Sequence, residues 1–314
     1  MNRIEDLEKL ISEQRNVKTV DIDRLSMEEI LRVINEEDKK VAYAVEREIP
    51  NIAKAAHAYL RSLKNGGRVF YVGAGTSGRM GVIDRAELIS TFKMDPKAII
   101  PILAGGVKAM YGPSEMAEDK EENGRRVISK YRVDERDSVI GISASGRTPY
   151  VVGALKEAKR RGATTIVITV NPDAEISRYA DIVICPLVGP EVIAGSTRMK
   201  AGTAQKMILT MLSTAVMVKL GRVYSNLMVS LLPISSKLRE RARRIVMTEA
   251  GVDYETAAKT LEETGYDIKA AIIMLKAKVD YGKALKALRE AEGNLEKALN
   301  LALNSSSSSK PRRG

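Results

Sequence analysis

The sequence predicts an α/β fold in which a doubly wound parallel sheet lies between layers of helices. Five short apolar runs alternate with amphipathic stretches between Arg68 and Cys185, and several of these runs are apolar on both faces. Strands that helices cover on both sides have this pattern, and regular alternation with helices is typical of a parallel sheet. The predicted strands are Val69 to Val72, Ile99 to Leu103, Val139 to Ile142, Thr165 to Val170 and Ile182 to Ile184.

Helical segments flank this region on both sides. Before it, apolar residues such as Ile30, Val33 and Ile34 recur three and four positions apart, which is helical spacing. After it, the chain is helical and charged without strand signals. The predicted organisation is an N-terminal helical segment at 1–65, a sheet domain at 66–248, a small helical C-terminal domain at 249–304 and a disordered serine-rich tail at 305–314.

The C-terminal domain contains a faint internal echo. Gly265 and Lys269 are matched 28 positions later by Gly293 and Lys297. Two copies do not establish a duplication, so the segment is interpreted as three or four short helices that serve packing or dimerisation.

Composition narrows the class of protein. A chain of 314 residues with 44% hydrophobic content can bury a substantial core. No apolar run reaches the roughly 20 residues that a bilayer-spanning helix needs. The single cysteine, Cys185, excludes an internal disulfide and favours a reducing compartment. We therefore expect a cytoplasmic protein without a membrane partner.

The formal net charge of +11 raises the possibility of a nucleic-acid partner. Acidic residues are interleaved through most of the chain, and two Phe with no Trp leave few rings on which bases can stack. A field that attracts small phosphorylated molecules explains the charge better. No nucleic-acid partner is expected.

The first predicted strand breaks into a glycine-rich loop, Gly73-Ala-Gly-Thr-Ser-Gly78, that enters a helix. Backbone N–H groups and the helix dipole receive anions in this geometry. The glycines satisfy the G-x-G-x-x-G dinucleotide fingerprint. However, the next strand, Ala98 to Gly106, lacks the acidic residue that would hold a ribose. The hydroxyls of Thr76 and Ser77 suit a terminal monophosphate instead.

A second loop repeats this chemistry after another predicted strand. It supplies Ser143, Ser145, Arg147 and Thr148, with Thr148 as the predicted cap of a helix that begins at Pro149. Such a turn is often only a helix cap. Its recurrence at the ends of two parallel strands favours a ligand site, since ligands of open α/β sheets bind at those ends. The sequence therefore predicts a phosphorylated small molecule as ligand.

Four segments together resemble the N-acetylmuramic acid 6-phosphate etherases, which are sugar-isomerase-type (SIS) proteins related to the glucokinase regulatory protein. The resemblance runs from about residue 4 to residue 300 and implies an SIS-type, flavodoxin-like sheet and a homodimer. The longest segment is the most specific. The segments are Gly73 to Glu87, Gly105-Gly106 with Ala117-Glu-Asp119, Ser143 to Pro149, and Gly189 to Lys206.

The resemblance implies a carbon–oxygen lyase that cleaves the D-lactyl ether of N-acetylmuramate 6-phosphate, giving N-acetylglucosamine 6-phosphate and D-lactate, in bacterial cell-wall recycling. The family's two important glutamates fall on Glu87 and Glu118 by motif position. The family pattern suggests Glu118 as the base and Glu87 as the acid. The residues expected to bind substrate are Gly75, Thr76, Ser77, Ser143, Ser145, Arg147, Thr148, Glu191, Arg198 and Lys200. For Glu191, Arg198 and Lys200 a structural role at their turn is an equal alternative.

Elimination of the ether requires a base and an acid, whatever the family resemblance implies. The ether at C3 is β to the C1 carbonyl of an open-chain sugar, so removal of the C2 proton by a base allows elimination, and the expelled oxygen needs an acid. Water then adds to the unsaturated aldehyde. This route requires no metal or redox cofactor, and none is expected.

The sequence departs from the family pattern at two places. Leu88-Ile-Ser-Thr-Phe92 replaces a Cys-Pro-Pro-Thr-Phe-like turn after the first glutamate, and Tyr111-Gly-Pro-Ser114 introduces a turn before the second.

Two other functions stay open. An SIS-type sugar-phosphate isomerase would release no lactate. A non-catalytic sugar-phosphate-sensing regulator would act through a partner. The presence of both glutamates favours catalysis.

Overall fold

The computed structural model describes residues 10–112 and 115–308 and contains five strands and twelve α-helices within those ranges. Three short 3₁₀ turns, Ile11–Glu13, Val17–Thr19 and Ile22–Arg24, precede the first long helix. The further elements are α1 (Met27–Arg47), α2 (Ile49–Lys64), β1 (Val69–Gly73), α3 (Gly75–Phe92), β2 (Ile99–Leu103), a 3₁₀ helix (Gly106–Met110), α4 (Glu115–Glu118), α5 (Glu121–Lys130), β3 (Ser138–Ile142), α6 (Pro149–Arg160), β4 (Thr164–Ile168), a 3₁₀ helix (Glu175–Tyr179), β5 (Ile182–Ile184), α7 (Lys200–Lys219), α8 (Ser236–Ala250), α9 (Tyr254–Glu263), α10 (Ile268–Ala277), α11 (Tyr281–Glu290) and α12 (Leu295–Ser308).

The five strands form one parallel sheet in the order β2-β1-β3-β4-β5. This order confirms the predicted doubly wound, flavodoxin-like sheet. Gly73, the last residue of β1, pairs with Leu103 of β2 and with Ile142 of β3. The loops that follow β1 and β3 therefore leave the same edge of the sheet, on either side of the point where the strand order reverses. Ligands of open α/β sheets bind at this point.

The chain divides into two compact units. The first runs to Arg85 and resumes from Pro96 to Ser213, and the second comprises Ala86–Asp95 together with the described residues from Thr214 onward. The core of the first unit is formed by fully buried strand and helix residues such as Phe70, Val139 and Leu155. The predicted domain boundary at residue 249 falls inside the second unit, within the last turn of α8.

Helices α5 and α6 touch through their backbones at two glycines. A Cβ atom on Gly124 would lie 1.9 Å from the carbonyl oxygen of Tyr150, and one on Gly153 would lie 2.0 Å from that of Glu121. Real Cβ atoms do not approach so closely, so both positions require glycine. The contact holds α6, the helix that follows the second hydroxyl-rich loop, against its neighbour.

Gly153→Ala is expected to lower the free energy of unfolding by about 2 kcal/mol or more, because the two helices must separate to admit the methyl group. Gly282→Ala on α11 is the matched control. There the nearest atom is a side-chain oxygen of Asp280, 3.3 Å away, and no backbone atom lies within 4 Å, so the change should cost far less. Urea denaturation measures both variants, and equal destabilisation of the two would contradict the close contact.

The second unit repeats one helical hairpin with a period of 27 residues. Asp253 and Asp280 cap α9 and α11, each accepting a hydrogen bond from a backbone N–H three residues later. Each helix is followed by two residues with positive φ, Gly265 with Tyr266 after α9, and Glu292 with Gly293 after α11. The backbone thus equates Gly265 with Glu292, and the 28-residue spacing suggested by the glycines is wrong by one position.

The ends of the chain differ in part from the prediction. Helices α1 and α2 occupy most of the predicted N-terminal helical segment, but 3₁₀ turns rather than α-helix precede them. Helix α12 extends to Ser308, four residues into the predicted tail, and residues 309–314 lie outside the described residues. Over the described ranges, none of the helices combines the length and the apolar character that crossing a membrane requires.

Candidate functional site

A cavity of about 850 Å³ lies at the carboxyl ends of β1 and β3. Glu118 lines it, and so do most of the residues that the sequence predicted to bind substrate. Those are Gly75, Thr76, Ser77, Ser143, Ser145, Thr148 and Arg198. The structure therefore brings the two hydroxyl-rich loops, Arg198 of the Gly189 to Lys206 segment and one predicted catalytic carboxylate into a single space.

The first loop is a tight turn from β1 into α3. A Cβ atom on Gly73 would lie 2.7 Å from the backbone nitrogen of Gly78, and Gly75 has a φ of +50°. Only glycine fits the close approach at Gly73. The turn presents the N-terminus of α3 to the cavity, with Thr76 and Ser77 on its wall. The positive end of the helix dipole and these two hydroxyls favour an anion there.

The second loop holds its hydroxyls in place through its own hydrogen bonds. Ser143 Oγ lies 2.8 Å from Thr148 Oγ1 and accepts a hydrogen bond from the backbone N–H of Gly146 at 3.0 Å. Thr148 occupies the cap position before Pro149, as predicted, but its hydroxyl bonds Ser143 rather than the helix. Arg147 is not among the cavity-lining residues of the described chain.

Glu191 and Lys200 have partners within the protein instead of facing the cavity. The Glu191 carboxylate accepts hydrogen bonds from the backbone N–H groups of Lys200, at 2.8 Å, and Ala201, at 2.9 Å, and so caps α7. Burial raises the pKa of Glu191, against the lowering effect of these N–H groups. Lys200 Nζ donates to Glu37 Oε2 at 2.7 Å and to the Val188 carbonyl at 2.9 Å. These contacts favour the structural role that the sequence leaves open for Glu191 and Lys200, and their contact with substrate stays a prediction.

The two predicted catalytic glutamates occupy different surroundings. Glu118 is half-buried at the end of α4 and lines the cavity. Glu87 is exposed on α3, about three helical turns beyond the first loop. It is not among the cavity-lining residues that the described ranges contain. Tyr111 and Gly112 of the predicted turn before Glu118 are described, whereas Pro113 and Ser114 lie outside the described residues.

Sequence reasoning missed several residues of the cavity wall. Arg79 directly follows the first loop, and its Nε and Nη2 donate to the carbonyls of Ala109, at 3.0 Å, and Gly112, at 2.6 Å. It thereby holds the segment that leads to α4. The position of Arg79 directly after the glycine-rich loop is a signal in the sequence that it could lie at the site. The sequence contains no comparable signal for Glu13. The other residues missed are Ala74, Met110, Tyr111, Gly112, Ala144, Gly195, Ser196 and Thr197.

A buried network anchors α3 behind the first loop. Asp84 accepts hydrogen bonds from Tyr71 Oη and Ser213 Oγ, both at 2.9 Å, and Tyr71 Oη lies 3.0 Å from Tyr59 Oη. Burial raises the pKa of Asp84 to about 6, although the two hydroxyl donors act to lower it. The network joins α2, β1, α3 and α7. Within the described part of the chain, no three His, Cys, Asp or Glu side chains are placed to hold a metal ion.

Family models place the chain in a class of proteins that agrees with this fold and cavity. The model for the glucokinase regulatory protein N-terminal SIS domain matches residues 51–159, and the model for the SIS domain matches residues 114–215. Both matched regions include the loop after β3, and the first also includes the loop after β1. The chain is an SIS-domain protein.

Individual relatives narrow this class to one family. The N-acetylmuramic acid 6-phosphate etherase of Caldanaerobacter subterraneus subsp. tengcongensis is 52% identical over 94% of this chain and 96% of its own length. The etherase of Clostridium botulinum strain Okra is 53% identical over 85% of this chain and 88% of its own. A solved phosphoheptose isomerase from Francisella tularensis is 22% identical, with a TM-score of 0.45 over 59% of this chain and 97% of that one. The chain belongs to the N-acetylmuramic acid 6-phosphate etherase family.

Proposed function

We propose that this chain is a carbon–oxygen lyase that cleaves the D-lactyl ether of N-acetylmuramate 6-phosphate to N-acetylglucosamine 6-phosphate and D-lactate. Relatives named for this activity match most of its length at about half identity. The observation that carries the proposal is that Glu118 lies in the same cavity as the two hydroxyl-rich loops. A single cavity then contains loops that can bind an anion and a carboxylate that can transfer a proton.

The phosphate is proposed to lie between the two loops. Five hydroxyl residues of these loops line the cavity, and the N-terminus of α3 adds its dipole. They are Thr76, Ser77, Ser143, Ser145 and Thr148. Hydroxyls and backbone N–H groups hold a phosphate without a dedicated lysine. Arg198, which is exposed on the cavity wall, adds a positive charge that attracts the anionic substrate.

The reaction proceeds from the open-chain form of the sugar. Glu118 accepts the C2 proton, the C2–H electron pair forms the C2=C3 double bond, and the C3–O bond breaks. The departing lactate oxygen takes a proton from an acid. Water then adds to the unsaturated aldehyde, its oxygen bonding to C3 and a proton returning to C2, so that the sum is hydrolysis of the ether.

The acid is assigned to Glu87 by the motif that this residue occupies. The family pattern pairs this position with Glu118. Its exposed place on α3 leaves it accessible to solvent. The assignment stays a proposal, and the glutamine variants discussed below test it.

The test of the proposed function is incubation of the protein with N-acetylmuramate 6-phosphate and detection of D-lactate with D-lactate dehydrogenase. In deuterium oxide, elimination followed by addition should place one deuterium at C2 of the product, whereas direct displacement at C3 should place none. Formation of a ketose sugar without lactate would establish the isomerase function instead. Binding without any conversion would indicate a sensing module.

The proposed position of the phosphate, between the two hydroxyl-rich loops, leads to a separate prediction. Ser77→Ala should raise the KM for the sugar phosphate about tenfold or more, because a hydrogen bond to a charged group is lost. Steady-state kinetics of lactate release measure the change. Ser129→Ala, on α5 and outside the cavity wall, is the control of the same chemistry and should leave KM unaltered. An unchanged KM in Ser77→Ala would show that the phosphate does not bind at Ser77.

The assembly and location of the protein are part of the same proposal. The family resemblance implies a homodimer, and the composition, with one cysteine in 314 residues, favours the cytoplasm. Sedimentation velocity of the purified chain tests the dimer. A sedimentation coefficient of the monomer at micromolar concentration would contradict it.

A further inference from the structure

The segment before α1 contributes Glu13 to the wall of the cavity. Its first described 3₁₀ turn, Ile11–Glu13, is tied to Asn171, the third residue after β4. The Ile11 N–H donates to Asn171 Oδ1 at 2.8 Å, and Asn171 Nδ2 donates to the Ala144 carbonyl at 2.9 Å. Ala144 belongs to the second hydroxyl-rich loop. The turn is therefore attached to the loop that carries part of the proposed phosphate seat.

Further hydrogen bonds attach the same segment to Val192 and Gly195, in the loop that precedes α7. The Gly195 N–H donates to the Ser12 carbonyl at 2.9 Å, and Thr19 Oγ1 donates to the Val192 carbonyl at 2.8 Å. Ser12 and Thr19 are both buried. A segment that the sequence presents as a plain helical lead thus has a fixed place against two functional loops.

Glu13 lies between these attachments and lines the cavity. Its Oε2 would be 2.9 Å from a Cβ atom on Gly195, which has a φ of +75°. The carboxylate therefore packs where position 195 has no side chain. Among residues 10–112 and 115–308, no side chain or backbone group donates a hydrogen bond to it. Its acceptor capacity is available to a ligand in the cavity.

The chemistry of a carboxylate limits what such a ligand presents at this wall. An ionised carboxylate only accepts hydrogen bonds, and it repels phosphate and lactate oxygens. It must face the neutral part of the substrate that carries O–H and N–H donors. We propose that Glu13 determines specificity by accepting hydrogen bonds from hydroxyl or amide donors of the sugar. This inference rests on the proposed function, which makes the ligand a hexosamine phosphate.

Binding experiments with two probes test the role of Glu13. The two probes are N-acetylglucosamine 6-phosphate and inorganic phosphate, and isothermal titration measures the affinity for each. Glu13→Ala should weaken the binding of the sugar phosphate about tenfold or more, while the binding of inorganic phosphate is unchanged or tighter. Gln14→Ala is the matched control, since this exposed neighbour does not line the cavity. An unchanged sugar-phosphate affinity, or an equal loss for both probes, would overturn the proposal.

Kinetics separate a specificity role from a catalytic one. Glu13→Ala should raise the KM for lactate release with kcat within about twofold, since the lost contact stabilises substrate and transition state alike. Asn171→Ala, which detaches the turn, should act in the same direction. A fall in kcat at constant KM would contradict the proposed role. If the wild-type chain binds the sugar phosphate but releases no lactate, the proposed function fails, and the binding experiment still decides on Glu13.

Discussion

Glu118→Gln is expected to lower the kcat for D-lactate release by about two to four orders of magnitude. Glutamine keeps the size of the side chain but cannot accept the C2 proton, and positioned general bases contribute about 10²–10⁴ in rate. Glu118 has this role in the proposal because it lines the cavity beside the phosphate seat. The coupled lactate assay at saturating substrate measures the loss.

Two controls make the Glu118 result specific. Asp119→Asn changes the adjacent carboxylate, which is exposed and outside the cavity wall, and should retain full activity. The affinity of Glu118→Gln for N-acetylglucosamine 6-phosphate should stay within about threefold of wild type, because uniform binding does not depend on the base. Retained activity in Glu118→Gln, or a parallel loss of affinity, would remove this residue from the chemistry.

Glu87→Gln extends the same experiment to the proposed acid. A loss of kcat similar to that of Glu118→Gln is expected, because expulsion of an unprotonated alkoxide is slow. With substrates that carry a better leaving group at C3, the kcat of Glu87→Gln should fall less, since such a group needs no proton to depart. Full activity of Glu87→Gln with the natural substrate would transfer the acid role to another group.

The second large effect is expected on stability, at the ion pair between Lys200 and Glu37. The side chains of these residues are 1% and 3% exposed, and Nζ lies 2.7 Å from Oε2. Glu37→Gln would leave the ammonium group buried beside a neutral amide. Removing one partner of a buried pair costs about 3–5 kcal/mol, so the free energy of unfolding in urea should fall by about that amount.

Glu36→Gln is the matched control for the ion pair. Glu36 precedes Glu37 on α1 and pairs with Lys39, but its side chain is 68% exposed. An exposed pair contributes at most about 1 kcal/mol. The double variant Glu37→Leu with Lys200→Met should recover part of the loss, because it leaves no buried charge. Equal effects of Glu36→Gln and Glu37→Gln would contradict the structural role of Lys200.

The same pair should make stability depend on pH in the acid range. Burial acts to raise the pKa of Glu37, but hydrogen bonds from Lys200 and Lys40 lower it from 4.5 to about 2. The unfolded chain binds the proton more readily, so this contribution is complete above about pH 4.5 and is lost as pH falls toward 2. Glu37→Gln should therefore show a smaller decline in unfolding free energy across that window than the wild-type chain.

Much of the fold was accessible from local patterns. The sequence predicts the strands within one or two residues because they are short apolar runs, several of them apolar on both faces, and a parallel sheet buries both faces. The two hydroxyl-rich loops could be placed because glycines and hydroxyls follow those runs directly. Strand pairing then brings both loops to one edge, which the βαβ alternation already implied.

The roles of individual polar residues were less accessible. Glu191 and Lys200 stand in the most specific segment of the chain, yet their side chains cap a helix and fill a buried ion pair. Glu13 stands in a segment without any motif and lines the cavity. A motif records that a residue type is required at a position, but helix capping and ligand binding require the same oxygen atoms.

The linear sequence is sufficient for the class of fold and the nature of the ligand, because hydrophobic periodicity and strand-to-helix loop chemistry are properties of neighbours along the chain. The composition of the cavity wall is different. Its contacts join residues as distant as Ile11 and Asn171, and a side chain's partners across such a distance follow from packing in three dimensions. Which carboxylates reach the substrate is therefore a property of the folded chain alone.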